Sequence, residues 1–263
     1  MRPAPLIVWG TGPNSSKTHI SVGLARHLVR HGRQVTPFKA VTVVESEQAG
    51  ECPIPLHVAA ARTRWRPELS PVTLRRDSLT LAMGTTKAGP VPLATPDTLD
   101  LAQLPPEVAT RLVATVRAAL SRLSSLDSTL LVEGAGSPLD AVRDLANLEV
   151  VRILAEGASA RPRILLSHYS GAGGSQAALC GTYTLLPRDV RRYVIGYLLS
   201  GPLPGADVAS WSRTVTTYTG LPLIGVIPRL TVHDDADQRT PDVLADLWAD
   251  AVGRHLSLEV LGL

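Results

Sequence analysis

LIVWGTGPNSSKT, the sequence of residues 6–18, decides the fold of this 263-residue chain. The apolar run from Leu6 to Trp9 predicts a buried strand, and the segment from Lys17 to His31 carries apolar residues at helical spacing. A turn rich in glycine and serine joins them. A strand, a Gly/Ser-rich turn and Lys-Thr at the start of a helix are the parts of a phosphate-binding loop, in which backbone N–H groups surround the phosphate.

This loop supplies most of the candidate nucleotide-binding residues. In such loops the lysine contacts the β- and γ-phosphates, and the hydroxyl group that follows it binds Mg²⁺. The residue before the lysine should be glycine, so Ser16 in that place is expected to strain or block the loop. The alternative is a serine-rich turn in which Ser15 or Ser16 caps the helix. The predicted nucleotide-binding residues of the loop are Gly10, Thr11, Gly12, Asn14, Ser15, Ser16, Lys17 and Thr18.

Beyond the loop, short apolar runs alternate with amphipathic segments. This order predicts an α/β fold with a mostly parallel central sheet and helices on both faces. Further strands are expected at 34–38, 128–132, 163–167, 194–199 and 222–226. Further helices are expected at 56–62, 107–126, 147–155, 175–185, 207–219 and 241–255. The stretch between 53 and 106 is rich in proline, with irregular structure expected around 90–106, and 234–237 is expected to be an acidic surface turn.

Two more candidate residues directly follow predicted strands. Lys39 comes after the strand at 34–38, and Glu133 comes after the strand at 128–132. In parallel sheets, ligands bind beyond the carboxyl ends of the strands, and a carboxylate followed by small residues there suits Mg²⁺. Only three of the 26 basic residues are lysines, which draws attention to Lys17 and Lys39, because a compact ammonium fits between phosphate oxygens.

Composition narrows the class of protein. The net charge of +3 and the lack of a basic cluster with interleaved aromatic residues argue against a nucleic-acid partner. No apolar run has the length of a membrane span, so no membrane partner is expected. Two cysteines do not make a disulfide framework, and the first residues lack a signal-peptide pattern, so we expect a cytoplasmic protein.

The order of the motifs resembles that of the synthetase domain of cobyric acid synthase. The matching segments run from residue 6 to residue 230, and the most specific are PFKA at 37–40 and EGAGSP at 133–138. That family uses ATP and glutamine-derived ammonia to amidate side chains of a corrin precursor, and dethiobiotin synthetase is a relative. The resemblance implies a P-loop NTPase-like domain over 1–230, with 231–263 as a C-terminal helical extension of the same domain.

The resemblance also implies roles for individual residues. Lys17 would contact the β- and γ-phosphates of ATP, while Thr18 and Glu133 would bind Mg²⁺. Lys39 would stabilise the transferred phosphate, so Lys39 and Glu133 are the candidate catalytic residues. The small residues Gly134 and Gly136 would let a small-molecule carboxylate substrate approach the backbone. Glu51, in a segment like one in the family, is a further candidate.

The chain departs from the family pattern at several functional positions. Asn14 stands where the family has an acidic residue, and Ser16 where it has glycine. The acidic and arginine residues of one family motif are replaced at 169–174, and Ser200-Gly201 replaces the Asn-Lys pair that reads adenine. The glutaminase domain of the family has no counterpart in these 263 residues, so a separate glutaminase subunit or another amine would supply nitrogen.

Two functions therefore stay open. The first is an ATP-dependent amidoligase with a changed substrate. The second is a degenerate, inactive relative that binds a ligand or a partner protein. Dimerisation across the active site is known among relatives, so a homodimer is one arrangement that the resemblance allows.

Overall fold

The computed structural model describes residues 3–43, 52, 54–75, 78–81, 84–88, 99–157, 161–230 and 240–262. The candidate Glu51 and the acidic turn at 234–237 lie outside these residues, as do parts of the proline-rich stretch.

Six parallel strands form the central sheet, in the spatial order β10-β9-β8-β1-β7-β2. The central strand β1 pairs with β7 on one side, where Ile7 lies opposite Val132, and with β8 on the other, where Ile7 lies opposite Ile164. The six strands are β1 (Leu6–Gly10), β2 (Val35–Phe38), β7 (Thr129–Glu133), β8 (Arg163–Tyr169), β9 (Val194–Ser200) and β10 (Leu223–Ile227).

Helices cover both faces of this sheet. Side chains alternate across a strand, so Leu6 and Val8 pack with the helices of one face while Ile7 and Trp9 pack with those of the other. This confirms the predicted α/β class. The helices are α1 (Lys17–Arg30), α2 (Pro55–Ala60), α3 (Pro106–Ser124), α4 (Val150–Gly157), α5 (Ser175–Leu185), α6 (Arg188–Arg191), α7 (Val208–Thr219) and α8 (Pro241–His255).

A second, four-stranded sheet is formed by segments in which the sequence analysis predicted no strand. Its order is β3-β4-β5-β6, with β3 and β4 parallel and the other pairs antiparallel. Three to five residues per strand give too few alternations for a clear signal, so the sequence analysis missed these strands. Its strands are β3 (Val41–Val43), β4 (Val72–Arg75), β5 (Ser78–Leu81) and β6 (Gly84–Ala88).

The C-terminal helix α8 packs along α1, the helix that follows the phosphate-binding loop. Arg26 of α1 is fully buried and forms ion pairs with Asp242 and, at 3.4 Å, with Asp246. Arg30, one turn further along, lies 2.9 Å from Asp246 and 2.5 Å from Asp250. Helix α8 thus covers the same face of the sheet as α1, while the predicted boundary at residue 230 stays a prediction.

The helices within the described ranges lack the features of membrane-spanning helices. None of the helices there is both long enough and apolar enough to cross a bilayer.

Candidate functional site

The loop between β1 and α1 has the backbone shape of a glycine-containing loop. Asn14 and Ser16 both adopt left-handed conformations, with φ of +55° and +64°. This conformation costs a residue with a side chain about 1–2 kcal/mol. Ser16 immediately precedes α1, but its side chain makes no capping hydrogen bond; instead its Oγ accepts one from Ser200 at 2.8 Å. The hydroxyl cap offered as an alternative is therefore absent at Ser16.

Residues near the end of β8 hold this loop in place by hydrogen bonds. The backbone N–H of Thr11 donates to the carbonyl of Ser167 at 3.1 Å, and Thr11 Oγ1 lies 2.7 Å from His168 Nδ1. The hydroxyl of Ser167 donates to the carbonyl of Ser15. A Cβ atom at Gly10 would lie 1.7 Å from Ser15 Oγ, so glycine is required at that position. These contacts fix both ends of the loop to the sheet.

Lys17 connects the loop to the segment that follows β7. Its ammonium donates to the carbonyl of Gly12 at 2.9 Å and to the carbonyl of Gly136 at 3.0 Å, and Ser15 Oγ lies 3.3 Å away. The side chain is largely buried between the two loops. Lys17 is therefore held at the centre of the site by neutral acceptors, which phosphate oxygens could replace.

Glu133 is the centre of the charged cluster. Its Oε1 accepts hydrogen bonds from Thr18 Oγ1 at 2.9 Å and from Lys39 Nζ at 2.7 Å. Its Oε2 lies 2.6 Å from Nε2 of His57, a residue of α2. Burial acts to raise the pKa of Glu133, but the charges and hydrogen bonds of Lys39 and His57 outweigh it and hold that pKa well below its usual range. The ionised carboxylate only accepts hydrogen bonds, so His57 Nε2 carries the shared proton.

His57 was missed by the sequence analysis. It is nearly buried, and it is 76 positions away from Glu133 in the chain. No motif or spacing links the two residues, and the packing of α2 against α1 and α8 brings them together.

A buried polar group supports the segment after β7. Asn147 Nδ2 donates to the carbonyl of Ala135 at 2.6 Å and to the carboxyl of Asp144. A Cβ atom at Gly134 would lie 2.0 Å from Asn147 Oδ1, so this glycine makes room for the amide. Burial raises the pKa of Asp144 to about 7, although hydrogen bonds from Asn147 and from backbone N–H groups act in the opposite direction. Asn147 lies in a π-helical turn that precedes α4, where the sequence analysis expected an α-helix.

Two cavities open at the carboxyl edge of the sheet. The first, of about 420 Å³, is lined by the loop, Lys39, Glu133 and the segment 134–136. The second, of about 540 Å³, lies beyond β8, β9 and β10. Asn14, Ser16 and His19 line both cavities, which makes the two spaces adjacent.

The predicted site residues are thus brought together in part. Lys17, Thr18, Lys39 and Glu133 meet beside the first cavity. Gly10 and Thr11 contact groups at the base of the loop instead, and Gly12 and Gly136 offer their carbonyls to Lys17. The functional roles assigned to these residues stay predictions.

A hydroxyl and a carboxylate next to a phosphate-binding loop fit the needs of Mg²⁺. That ion takes few protein ligands and completes its octahedron with water and phosphate oxygens. Thr18 Oγ1 and Glu133 Oε1, 2.9 Å apart, supply this pair. Within the described part of the chain there is no group of three or more His, Cys, Asp or Glu side chains that could hold a metal without such help.

The fold and the loop place the chain among P-loop NTPase-type α/β proteins. The signal recognition particle receptor FtsY from Elizabethkingia anophelis superposes with a TM-score of 0.50 over 94% of this chain and 66% of the receptor, at 11% identity. The same receptor in complex with GDP gives 0.50 over 94% and 64%, at 12% identity. Identities this low show a common fold and nothing more.

The sequence relatives are more specific. The chain is 28% identical to a cobyric acid synthase of Acidovorax sp. (strain JS42), over 96% of the chain and 52% of the relative. It is 30% identical to that of Dehalococcoides mccartyi (strain CBDB1), over 86% and 44%, and 30% identical to a probable cobyric acid synthase of Halobacterium salinarum (strain ATCC 29341 / DSM 671 / R1), over 88% and 46%. No family model matches the chain.

These relatives confirm the resemblance read from the motifs: cobyric acid synthases are homologues of this chain. The chain spans about half the length of the curated relatives it matches.

Proposed function

We propose that the chain binds ATP with Mg²⁺ and activates a substrate carboxylate for amidation. The observation that carries the proposal is the convergence of Lys17, Thr18, Lys39 and Glu133 beside one cavity. Homology to cobyric acid synthases supports the reaction class.

Each of these side chains has a part that its surroundings support. Lys17 would exchange its carbonyl partners for phosphate oxygens, and Thr18 and Glu133 would hold Mg²⁺, which neutralises phosphate charge when bound. Both Lys39 and Glu133 line the cavity, and the lysine is the more accessible of the two, because its side chain is 21% exposed whereas that of Glu133 is 1% exposed. Positive groups fixed around a transferring phosphoryl group supply most of the catalysis in such reactions.

The carboxylate substrate would occupy the 420 Å³ cavity, next to the backbone of 134–136. The net charge of the lining favours an anion, because Lys17 and Lys39 are opposed by Glu133 alone among the described lining residues. Ammonia from a separate glutaminase subunit, or another amine, would then attack the activated carboxyl group. A homodimer stays part of this proposal.

One observation favours the second candidate, an inactive relative that binds its ligand without turnover. Both oxygens of Glu133 are already bound, by Thr18, Lys39 and His57. A carboxylate engaged in this way is a weaker metal ligand, because three of its roughly four lone-pair sites already accept hydrogen bonds.

Calorimetric titration of ATP–Mg²⁺ and of a non-hydrolysable analogue tests the proposal. We expect micromolar binding that Lys17→Ala weakens roughly tenfold or more, since hydrogen bonds to charged groups contribute about 1.5–3 kcal/mol each. Arg254→Ala is the control, because this cation is exposed near the end of α8 and lines neither cavity. A folded wild-type protein that binds neither ligand would rule the ligase out. Binding with no turnover in the presence of candidate carboxylates and ammonia would favour the inactive relative.

A further inference from the structure

An aromatic ring lines the cavity beyond β8, β9 and β10, and it lies beside two glycines, which have no side chain. Tyr169 is the last residue of β8. A Cβ atom at Gly171 would lie 2.4 Å from the Tyr169 hydroxyl oxygen, and one at Gly201 would lie 2.4 Å from the edge of its ring. The tyrosine therefore occupies the space that side chains at both glycines would need. The departures from the family pattern at 169–174 and at 200–201 therefore belong to one packing arrangement, in which the side chain of Tyr169 fills the space beside both glycines.

Polar groups at the end of β9 are used within the protein. Ser200 Oγ donates to Ser16 Oγ at 2.8 Å, and the backbone N–H of Gly201 donates to the carbonyl of Ile227 at 2.8 Å. These groups hold the loop and the sheet together, so they are not available to read the edge of a ligand.

Flat side chains make up the opposite wall. The rings of His19 and Trp248 are stacked, with centroids 4.0 Å apart and planes inclined by 5°. His19 follows the phosphate-binding loop in α1, and Trp248 belongs to α8. Both line the same cavity as Tyr169, and the exposed side chain of Arg229 lies at its border. Three aromatic side chains and one cation are thus among the residues that line the cavity.

The position of this cavity indicates which part of a ligand would enter it. The cavity shares Asn14, Ser16 and His19 with the cavity beside Lys17, so a ligand whose phosphates contact Lys17 extends into it. We propose that this aromatic cavity takes the purine ring of the nucleotide by stacking and does not distinguish adenine from guanine. The inference rests on the proposed nucleotide binding and adds how the base is recognised.

Stacking is tolerant because every base presents a ring face, whereas hydrogen bonds to ring edges are what separate one base from another. We therefore expect ATP and GTP to bind with affinities within about threefold of each other. The ring should strengthen binding over inorganic tripolyphosphate by roughly 5- to 100-fold, the range that base–aromatic stacking contributes.

The test is calorimetric titration of ATP, GTP and tripolyphosphate, each with Mg²⁺, into wild-type protein and variants. Trp248→Ala should weaken ATP and GTP by the same factor and leave tripolyphosphate unchanged, while Trp248→Phe keeps most of the affinity because it keeps a ring. Tyr218→Ala is the matched control: it removes an aromatic ring that is 77% exposed on α7 and lines neither cavity.

Four results would overturn the inference. A preference of more than tenfold for either purine would show that a polar group reads the base. An equal loss of tripolyphosphate and ATP binding in Trp248→Ala would show that the residue acts through the fold of α1. Nucleotides that bind no tighter than tripolyphosphate, with Lys17 still required, would refute the stacking site while sparing the phosphate site. Failure of all three ligands to bind would refute both proposals.

Discussion

Ser16 shows how one residue can keep the shape of a motif while changing its chemistry. The loop follows the left-handed path that glycine adopts without strain, yet it carries a hydroxymethyl group bonded to Ser200. Ser16 therefore strains the loop but does not block it, because its side chain turns toward β9. A serine at this position links the phosphate loop to the strand that ends beside the aromatic cavity.

The contact between His57 and Glu133 gives a stability prediction. His57→Leu removes the donor to a buried carboxylate oxygen, so we expect the free energy of unfolding to fall by about 1–3 kcal/mol. His57→Gln should lose less, since its amide N–H can still donate. Urea denaturation measures both variants. His255→Leu, at an exposed position of the same residue type, should change the value by no more than about 0.5 kcal/mol; a similar loss there would contradict the assignment.

Sequence reasoning found the site residues that follow strands in a recognisable order. Lys17, Thr18, Lys39 and Glu133 each stand directly after an apolar run or a loop motif, so the parallel topology places them together. His57 and Asn147 had no such signal, because each reaches the site from a helix whose docking depends on the whole core.

At the scale of elements, the long strands and helices were predictable and the short ones were not. The predicted bounds of α5 and α8 agree with the structure, since a proline at 187 follows α5 and Thr240-Pro241 begins α8. The strands of the second sheet were missed because each is short, and their pairing depends on partners brought together by the chain between them.

The ion pairs between α1 and α8 differ in burial, which gives a second stability prediction. Arg26→Ala should lower the free energy of unfolding by about 2 kcal/mol or more, because it removes a fully buried side chain that also donates to the carbonyl of Ala59 at 3.1 Å. Arg30→Ala, whose pairs are partly exposed, should cost less than about 1 kcal/mol. Chemical denaturation compares them, and equal losses would show that burial of Arg26 does not matter.

At the scale of the whole molecule, Asp144 makes stability depend on pH. Its pKa is about 7 in the folded protein and near 3.8 in an unfolded chain. Between about pH 4 and pH 7 the folded state retains a proton that the unfolded state has released, so the free energy of unfolding falls as pH rises. Below pH 4 both states are protonated, and above about pH 7 neither is.

The contribution of Asp144 is obtained as the difference between the wild-type and Asp144→Asn stability profiles, because other groups titrate in the same pH range. Burial lowers the pKa of His168, which makes stability rise with pH near neutrality and opposes the effect of Asp144. Subtracting the pH profile of Asp144→Asn from that of the wild type, each measured by urea denaturation from pH 4 to 8, should leave a decline toward pH 7. A flat difference would contradict the raised pKa. Asp127→Asn, at an exposed position, is the control.

The pairing of α1 with α8 sets an order on biosynthesis. Arg26, on the helix that carries the phosphate-binding lysine, leaves the ribosome 216 residues ahead of Asp242, with which it pairs. Throughout that interval the apolar face of α1 lacks its cover and Arg26 lacks its acidic partners. The nascent chain therefore covers this helix late, and until then the uncovered face of α1 is prone to aggregate.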